Sequence, residues 1–284
     1  MQRIEKGFFE LVNPYNRKKT VVAATPSDVH SIVFWSKNYG PFLMGRYGDR
    51  LLEKGYRLFF NFTVNSSDPW LEPNLPPLTL RFNQLECLVR LSSAAAVNWR
   101  FDPVCFYTPP GGGRENNFGD FKAIAAKAAD CGITRCITSF MDHYPKITRR
   151  LKGLDGFVFN DPPQPEKQAL LLKMQTHLSS HGIDLYTCCE KSLMDNLEYP
   201  AVKQSACIDH DLLEQLFGGN LSHKKDVGQR RSAGCGCDAS VDVGVYHKHP
   251  CPHSCLFCYA NPVSIHKRHL LAQDGVFTFP QSST

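Results

Sequence analysis

A chain of 284 residues, 42% hydrophobic and 21% charged, is long enough for one large domain with a full core. Its net charge of +5 is too small to imply a nucleic-acid partner by itself, and no stretch approaches the length of a membrane span. The opening Met1-Gln2-Arg3-Ile4-Glu5-Lys6 carries no apolar signal core, so the expected location is the cytoplasm. In a compartment that keeps thiols reduced, 12 cysteines argue for metal rather than disulfides, and most of them lie after residue 187.

In chain order, residues 8–12 read as a short strand closed by Asn13-Pro14, and the unbroken apolar run 32–35 as a parallel strand covered on both faces. A helix is expected over 41–54, ended by Gly55, then a strand over 56–64 and a proline-rich connection over 69–77. Helices follow at 80–95, 118–131 and 166–181, and strands at 97–101, 133–139 and 183–187. A last helix over 209–217 stops at Gly218-Gly219. Repeated strand–helix units predict an α/β fold with a parallel sheet, a full or partial (β/α) barrel over 1–219. Residues 220–284 form a cysteine-rich segment whose strand over 241–246 is expected to complete the barrel. Pro109-Pro110-Gly111-Gly112-Gly113 lacks the Gly-Lys-Ser/Thr ending of a phosphate loop. Lys224-Lys225 and Arg230-Arg231 read as a basic knot on a solvated loop.

Ligands of parallel α/β folds bind at the carboxyl ends of the strands. Those ends carry Ser36-Lys37-Asn38, Asn65-Ser66, Arg100 with Asp102, Ser139 with Asp142, and Cys188-Cys189-Glu190. Arg100 and Asp102 are two apart on a strand and so share a face, either as a structural ion pair or as ligand contacts. Near the C-terminus, Cys251-Pro252-His253-Ser254-Cys255-Leu256-Phe257-Cys258 spaces three cysteines C-x3-C-x2-C. Three thiolates on one tight loop can hold three irons of a 4Fe-4S cube and leave the fourth open, although C-x2-C is also half of a zinc site.

This spacing, with Phe257 before the third cysteine and Tyr259 after it, resembles the cluster loop of radical S-adenosylmethionine (radical SAM) enzymes. The resemblance implies a free iron chelated by the amino and carboxylate groups of SAM. It also implies reductive cleavage of SAM to methionine and a 5′-deoxyadenosyl radical, which takes hydrogen from an unidentified substrate. A flavodoxin- or ferredoxin-like protein is the implied electron donor. The usual radical SAM barrel carries this loop after its first strand. Here the strand-then-loop module comes last, so a rearranged, circularly permuted-like barrel is expected.

Ile32-Val33-Phe34-Trp35-Ser36-Lys37-Asn38, Trp99-Arg100-Phe101-Asp102-Pro103, Cys207-Ile208-Asp209, Gly228-Gln229-Arg230 and Cys235-Gly236-Cys237 extend the likeness, as does 242–262 with Cys258-Tyr259-Ala260-Asn261-Pro262. Together they are similar to one uncharacterised bacterial and archaeal family of radical-SAM-like proteins with the cysteine cluster at the C-terminus, over roughly residues 5–262. Members of that family begin with a further strand bearing an Arg-Thr-Asp-Ile-Pro-like segment, so the resemblance implies a strand missing ahead of Met1. Asn38, Arg100, Asp102 and Glu190 are the expected contacts to SAM or substrate.

Cys188 or Cys189 together with Cys207, Cys235 and Cys237 could supply four thiolates to a second, fully ligated iron–sulfur cluster or to tetrahedral zinc. Cys87, Cys105, Cys131 and Cys136 read as inert core thiols. His247, His249 and His253 read as neighbours of the cluster or surface groups, since three cysteines already suffice. Two other readings stay open: a non-catalytic iron–sulfur or zinc protein serving electron transfer or scaffolding, and a nucleic-acid enzyme like the spore photoproduct lyase branch.

Overall fold

A computed structural model describes residues 1–12, 16–195, 202–244 and 251–260. One helical turn, α1 (Gln2–Glu5), leads into an antiparallel hairpin of β1 (Phe8–Val12) and β2 (Lys19–Ala23). Then follow β3 (Ile32–Ser36), α2 (Gly40–Met44), α3 (Tyr47–Glu53), β4 (Leu58–Thr63), α4 (Leu78–Leu91) and β5 (Val97–Val104). The middle of the chain forms β6 (Phe106–Thr108), β7 (Glu115–Asn116), α5 (Phe121–Asp130), β8 (Arg135–Phe140), α6 (Pro145–Leu151) and β9 (Val158–Asn160). It continues with α7 (Gln164–Ser179), β10 (Asp184–Thr187), α8 (Lys191–Met194), β11 (Lys203–Gln204) and α9 (His210–Phe217).

Six strands build the main sheet in the order β11-β10-β8-β5-β4-β3, and every neighbouring pair is parallel. The spatial order follows the chain order without reversal, so right-handed crossovers carry successive helices to the same face. Leu85 and Leu88 of α4, Ile124 and Ala128 of α5, and Leu171, Met174 and Leu178 of α7 share one core with Phe60, Phe62, Trp99, Phe101, Phe140 and Leu185 of the sheet. Side chains alternate along a strand, so Asn61, Asn98, Arg100, Asp102 and Ser139 go to the opposite face. At one end of that face Phe59 packs with Leu213 of α9. The sheet is therefore apolar toward its helices and polar on the other side. Among the described residues β3 and β11 are edges and do not pair with each other.

A second, antiparallel sheet in the order β7-β6-β9 follows directly on β5. Its Tyr107 and Phe159 pack with Leu71, Ile147, Phe157, Leu256 and Phe257 in a separate core, which joins the cysteine loop to the sheet.

Several sequence expectations change in detail. The helix expected over 41–54 is two helices, because Arg46 takes a left-handed φ of 49° between them. Gly48 then lies so close to Leu91 that a Cβ there would stand 2.3 Å from its side chain, which ties α3 onto α4. Ile32–Ser36 is an edge strand with Trp35 47% exposed, rather than one covered on both faces. The strand expected over 241–246 is absent from its described part, 241–244, where Asp242 accepts the Gly244 amide in a local turn that competes with extended pairing. Residues 245–246 lie outside the described residues, as do Asn13-Pro14, His247, His249, Asn261 and Pro262. The hairpin strand β2 escapes sequence reasoning because only one of its residues is even half-buried, so it has no apolar stripe to read. No described helix is long and apolar enough to cross a membrane.

Candidate functional site

The polar face of the sheet supplies the first part of the site at the carboxyl end of β5. Arg100 forms an ion pair with Asp102, and its Nη1 lies 2.5 Å from Cys207 Sγ. The other Asp102 oxygen accepts the Ser139 hydroxyl, and the Asp102 amide donates to Asn65 Oδ1 at 2.8 Å. Asn65 Nδ2 donates onward to Glu72 at 3.1 Å, and Lys37 Nζ donates to the same carboxylate at 2.6 Å and to the Asp102 carbonyl at 3.4 Å. Burial works against charge on Lys37, yet the carboxylates of Glu72 and Asp102 outweigh it and raise its pKa, so the ammonium persists. Arg100 is likewise pushed well up, its burial overcome by Asp102, Cys207 and Cys188. Arg100 and Asp102 thus share a face as expected and are an ion pair, and the same pair reaches a cysteine 107 positions away.

The C-x3-C-x2-C loop is the second part. Leu256 and Phe257 are buried in the smaller core, and the Leu256 amide donates to the Leu71 carbonyl at 2.8 Å. Arg150 of α6 clamps the loop backbone, donating to the carbonyls of Cys255 (3.2 Å), Leu256 (2.7 Å) and Cys258 (2.8 Å). Asn74 Nδ2 holds the Pro252 carbonyl at 3.0 Å, and the ammonium of Lys37 lies 4.9 Å from the Phe257 ring centroid. Burial raises the pKa of Cys251 and Cys255 and so favours the neutral thiol at both. Tyr259, 68% exposed, follows Cys258 directly, and its ring lies 5.8 Å from that of Tyr144.

The third part is a ring of thiols. Cys188 Sγ lies 3.7 Å from Cys189 Sγ and 3.8 Å from Cys207 Sγ. Cys207 meets Cys237, whose sulfur also takes the Cys207 amide at 3.2 Å; Cys237 meets Cys235, and Cys235 meets Cys189. All the cysteines expected in a second centre are therefore together, and Cys189 joins them beside Cys188. Asn61 Nδ2 holds the Cys207 carbonyl at 3.1 Å, so the polar face of the sheet positions this cysteine through two side chains, Asn61 and Arg100. Contacts from Cys188 and Cys237, with Arg100, hold the Cys207 thiol well below its ordinary range. Cys189 is lowered to about 7 by Cys188 and Arg230, whereas Cys188, Cys235 and Cys237 are raised.

Asn38 sits at the rim, but its amide oxygen accepts Gly40 N–H and Gln84 Nε2, both at 2.9 Å, and so starts α2. Its neighbour Lys37 is the residue that reaches the Asp102 network. Glu190 accepts the Phe140 amide at 2.8 Å, and burial raises its pKa to about 7. The basic knot is only partly solvated: Lys225 pairs with buried Asp238 at 2.7 Å, and Arg230 pairs with Asp142. Cys105 and Cys136 are buried, while Cys87 and Cys131 are half-exposed. His253 stacks no metal-ready trio; its Nδ1 lies 3.3 Å from the Asn74 carbonyl. Sequence reasoning missed Glu72, hidden in a connection that reads as a linker, and Arg150. The signal for Arg150 was Pro145 opening a helix with Ile147 and Leu151 on one face.

The sulfur geometry bears on which metal fits. Four thiolates on one zinc at about 2.3 Å must all lie about 3.8 Å from one another. Among the described residues no three thiols have all their sulfurs within 4.8 Å of each other; the trio that meets this limit is Asp211, Glu214 and His223, without a cysteine. The neighbouring sulfurs around Cys188, at 3.7 and 3.8 Å, stand at the edge length of such a tetrahedron and closer than thiolates that each take their own iron in a polynuclear cluster.

The model of a family described as a domain of unknown function, DUF1848, matches residues 1–260. No curated protein matches the chain.

Proposed function

The chain belongs to the DUF1848 family, and we propose that it is a radical-SAM-like iron–sulfur protein on an open, partial parallel barrel. Cys251, Cys255 and Cys258 would hold a 4Fe-4S cluster with one iron left for SAM. Bound there and reduced by a flavodoxin- or ferredoxin-like donor, the cluster supplies reductive cleavage of SAM for hydrogen abstraction from an unidentified substrate. The observation that carries this reading is the seat of the loop. Its backbone is clamped by Arg150 and by Leu71, and Lys37 links its Phe257 to the charged network at the carboxyl end of the parallel sheet.

The chain's own residues do three jobs in this reading. Arg150 and Asn74 fix the loop by its carbonyls, which leaves the thiols free to bind metal. Leu256, Phe257 and Leu71 keep water from one side of the loop. Arg100, Asp102, Lys37 and Glu72 present fixed charges to the polar ends of SAM or substrate from a buried network that needs little reorganisation.

The test is anaerobic reconstitution with iron and sulfide, followed by EPR of the dithionite-reduced protein with and without SAM. A 4Fe-4S signal that shifts on SAM addition, with formation of 5′-deoxyadenosine, is expected, and Cys255→Ser should abolish the SAM-induced shift and the 5′-deoxyadenosine. A cluster indifferent to SAM would replace this reading with a non-catalytic iron–sulfur protein, and stoichiometric zinc without iron would sink it.

A further inference from the structure

The ring of five thiols is not used by the three-cysteine loop, and its sulfurs meet in pairs. Cys188 Sγ lies 3.7 Å from Cys189 Sγ and 3.8 Å from Cys207 Sγ, close to van der Waals contact. Among the described residues no third cysteine, histidine or carboxylate ligand atom lies within 4.8 Å of both members of either pair, as one zinc ion requires. The same pairs stand too close for thiolates that each take a separate iron of a cluster. Sulfurs that touch in pairs, with no third ligand to complete a metal site, are placed for dithiol chemistry.

The backbone holds Cys188 and Cys207 side by side. They leave neighbouring parallel strands: Thr187 and Gln204 are register partners of β10 and β11, and the Ser205 amide carries the ladder on to the Thr187 carbonyl at 2.8 Å. The Cys188 amide donates to the Thr138 carbonyl at 2.9 Å, and Asn61 Nδ2 holds the Cys207 carbonyl at 3.1 Å. A Cβ at Gly236 would stand 3.0 Å from the Ser205 carbonyl, so the Cys-Gly-Cys turn is pressed against the segment that delivers Cys207. Closing the pair to a disulfide of about 2.05 Å moves the sulfurs by less than about 2 Å, within reach of side-chain rotation. Cys188 and Cys189 are a poorer pair, because chain neighbours close only a small ring that twists their shared peptide bond. Charge marks Cys207 as the sulfur that reacts first. Arg100 Nη1 lies 2.5 Å from it, and Arg100 is itself fixed by its ion pair with Asp102. A guanidinium there stabilises the nucleophilic thiolate and can steady the oxyanion that departs from a peroxide. Both cysteines are only half-buried, which leaves access for a molecule as small as hydrogen peroxide.

We propose that Cys207 and Cys188 are a redox-active dithiol, which a small hydroperoxide oxidises to a reversible disulfide. The Cys207 thiolate attacks one peroxide oxygen and the O–O bond breaks. A sulfenic acid forms at Cys207, and the departing hydroxide or alkoxide takes up the proton that Cys207 gave to solvent. The Cys188 sulfur then attacks the Cys207 sulfur. The S–S bond forms, the S–O bond breaks, and the leaving hydroxide takes the Cys188 proton and departs as water. Two thiols are thereby oxidised, and one hydroperoxide is reduced to water and an alcohol, or to water alone. A reduced small dithiol resets the pair by exchange and becomes a disulfide itself. Transient disulfides of this kind are the form that suits a thiol-rich, otherwise reduced protein.

The test compares the wild-type chain with the full chain carrying Cys251→Ser, Cys255→Ser and Cys258→Ser together, in which the loop takes no part. In both, one equivalent of hydrogen peroxide should consume two ring thiols per chain, counted by alkylation, and dithiothreitol should restore them. Peptide mass spectrometry should place the disulfide between Cys188 and Cys207. In the loop-disabled chain, adding Cys188→Ser should halt the reaction at a Cys207 sulfenic acid that dimedone traps. Adding Cys207→Ser instead should slow peroxide consumption at least about tenfold. Circular dichroism and a thermal melt check that each variant is folded, and the disulfide mapping in the wild type needs no variant at all. Three results overturn the inference: a disulfide mapped to another pair, peroxide consumption unchanged by Cys207→Ser, or stoichiometric zinc or iron that must be stripped from the ring before its thiols react. None of these readouts involves SAM or the loop, so this inference and the proposed function fail separately.

Discussion

The two faces of the six-stranded sheet are built from alternate residues of the same strands and have opposite chemistry. Phe60 and Phe62 of β4 stand beside Val97 and Trp99 of β5 under the helices, while Asn61 and Thr63 stand beside Asn98 and Arg100 on the other face. The first set is apolar and fully buried, and it holds the fold. The second is also buried, yet polar, and its hydrogen bonds run outward to Cys207 and Asp102. Burying polar groups is costly unless each is paired, so the polar inner face depends on its hydrogen bonds and ion pairs in a way the apolar face does not.

Variants on each face should separate these roles. Phe60→Ala removes a ring packed against Phe34, Tyr39 and Phe42. It should cost about 3–5 kcal/mol in chemical denaturation while leaving the iron content of the surviving folded protein unchanged. Asp102→Asn leaves the Arg100 guanidinium buried without its carboxylate. The expected loss is about 3 kcal/mol, together with a weaker SAM response, read by chemical denaturation and EPR. If Asp102→Asn lowered stability alone, the polar face would be purely structural.

Lys37→Met keeps an apolar stem over Phe257 but leaves buried Glu72 with the neutral Asn65 amide at 3.1 Å and the more distant Arg81 at 4.0 Å. About 1–3 kcal/mol should be lost, and Lys37→Arg should recover part of it. The smallest effect belongs to the helix side. His177 of α7 lies 6.0 Å from the Phe121 ring, and burial, with His181 and Lys122, holds its pKa below the ordinary 6.5. The unfolded chain therefore takes up a proton that the folded chain resists. Stability is full above pH 6.5, falls as pH drops through that value, and stops falling below the folded pKa. Thermal melts between about pH 7.5 and pH 5.5 should show this loss, and His177→Gln should reduce it without touching either cysteine set.

Much of the fold was legible locally. The apolar runs at residues 56–64, 97–101 and 133–139 and the glycine stops after the long helices predict a parallel α/β sheet, and the sheet is there, with strands at Leu58–Thr63, Val97–Val104 and Arg135–Phe140. That Arg100 and Asp102 share a face follows from strand periodicity alone, and the structure decides that they are an ion pair. Legibility ended where local rules compete or fall silent. The turn at Asp242 overrides an alternating pattern, Arg46 interrupts a helix with no proline to announce it, and Glu72 and Arg150 acquire their partners only through contacts that span the chain.

By itself, the sequence determined the strand and helix types, the C-x3-C-x2-C loop and the concentration of thiols in the last third, because these depend on neighbours within a few residues. Only the tertiary structure decided that Cys188, Cys189, Cys207, Cys235 and Cys237 form one ring on Arg100 and Asn61, with the loop of Cys251, Cys255 and Cys258 seated apart on Arg150. Their partners lie up to 146 positions apart in the chain, as Asn61 and Cys207 do. Such contacts are fixed by the register of parallel strands and the packing of connections across their ends, which no local pattern encodes.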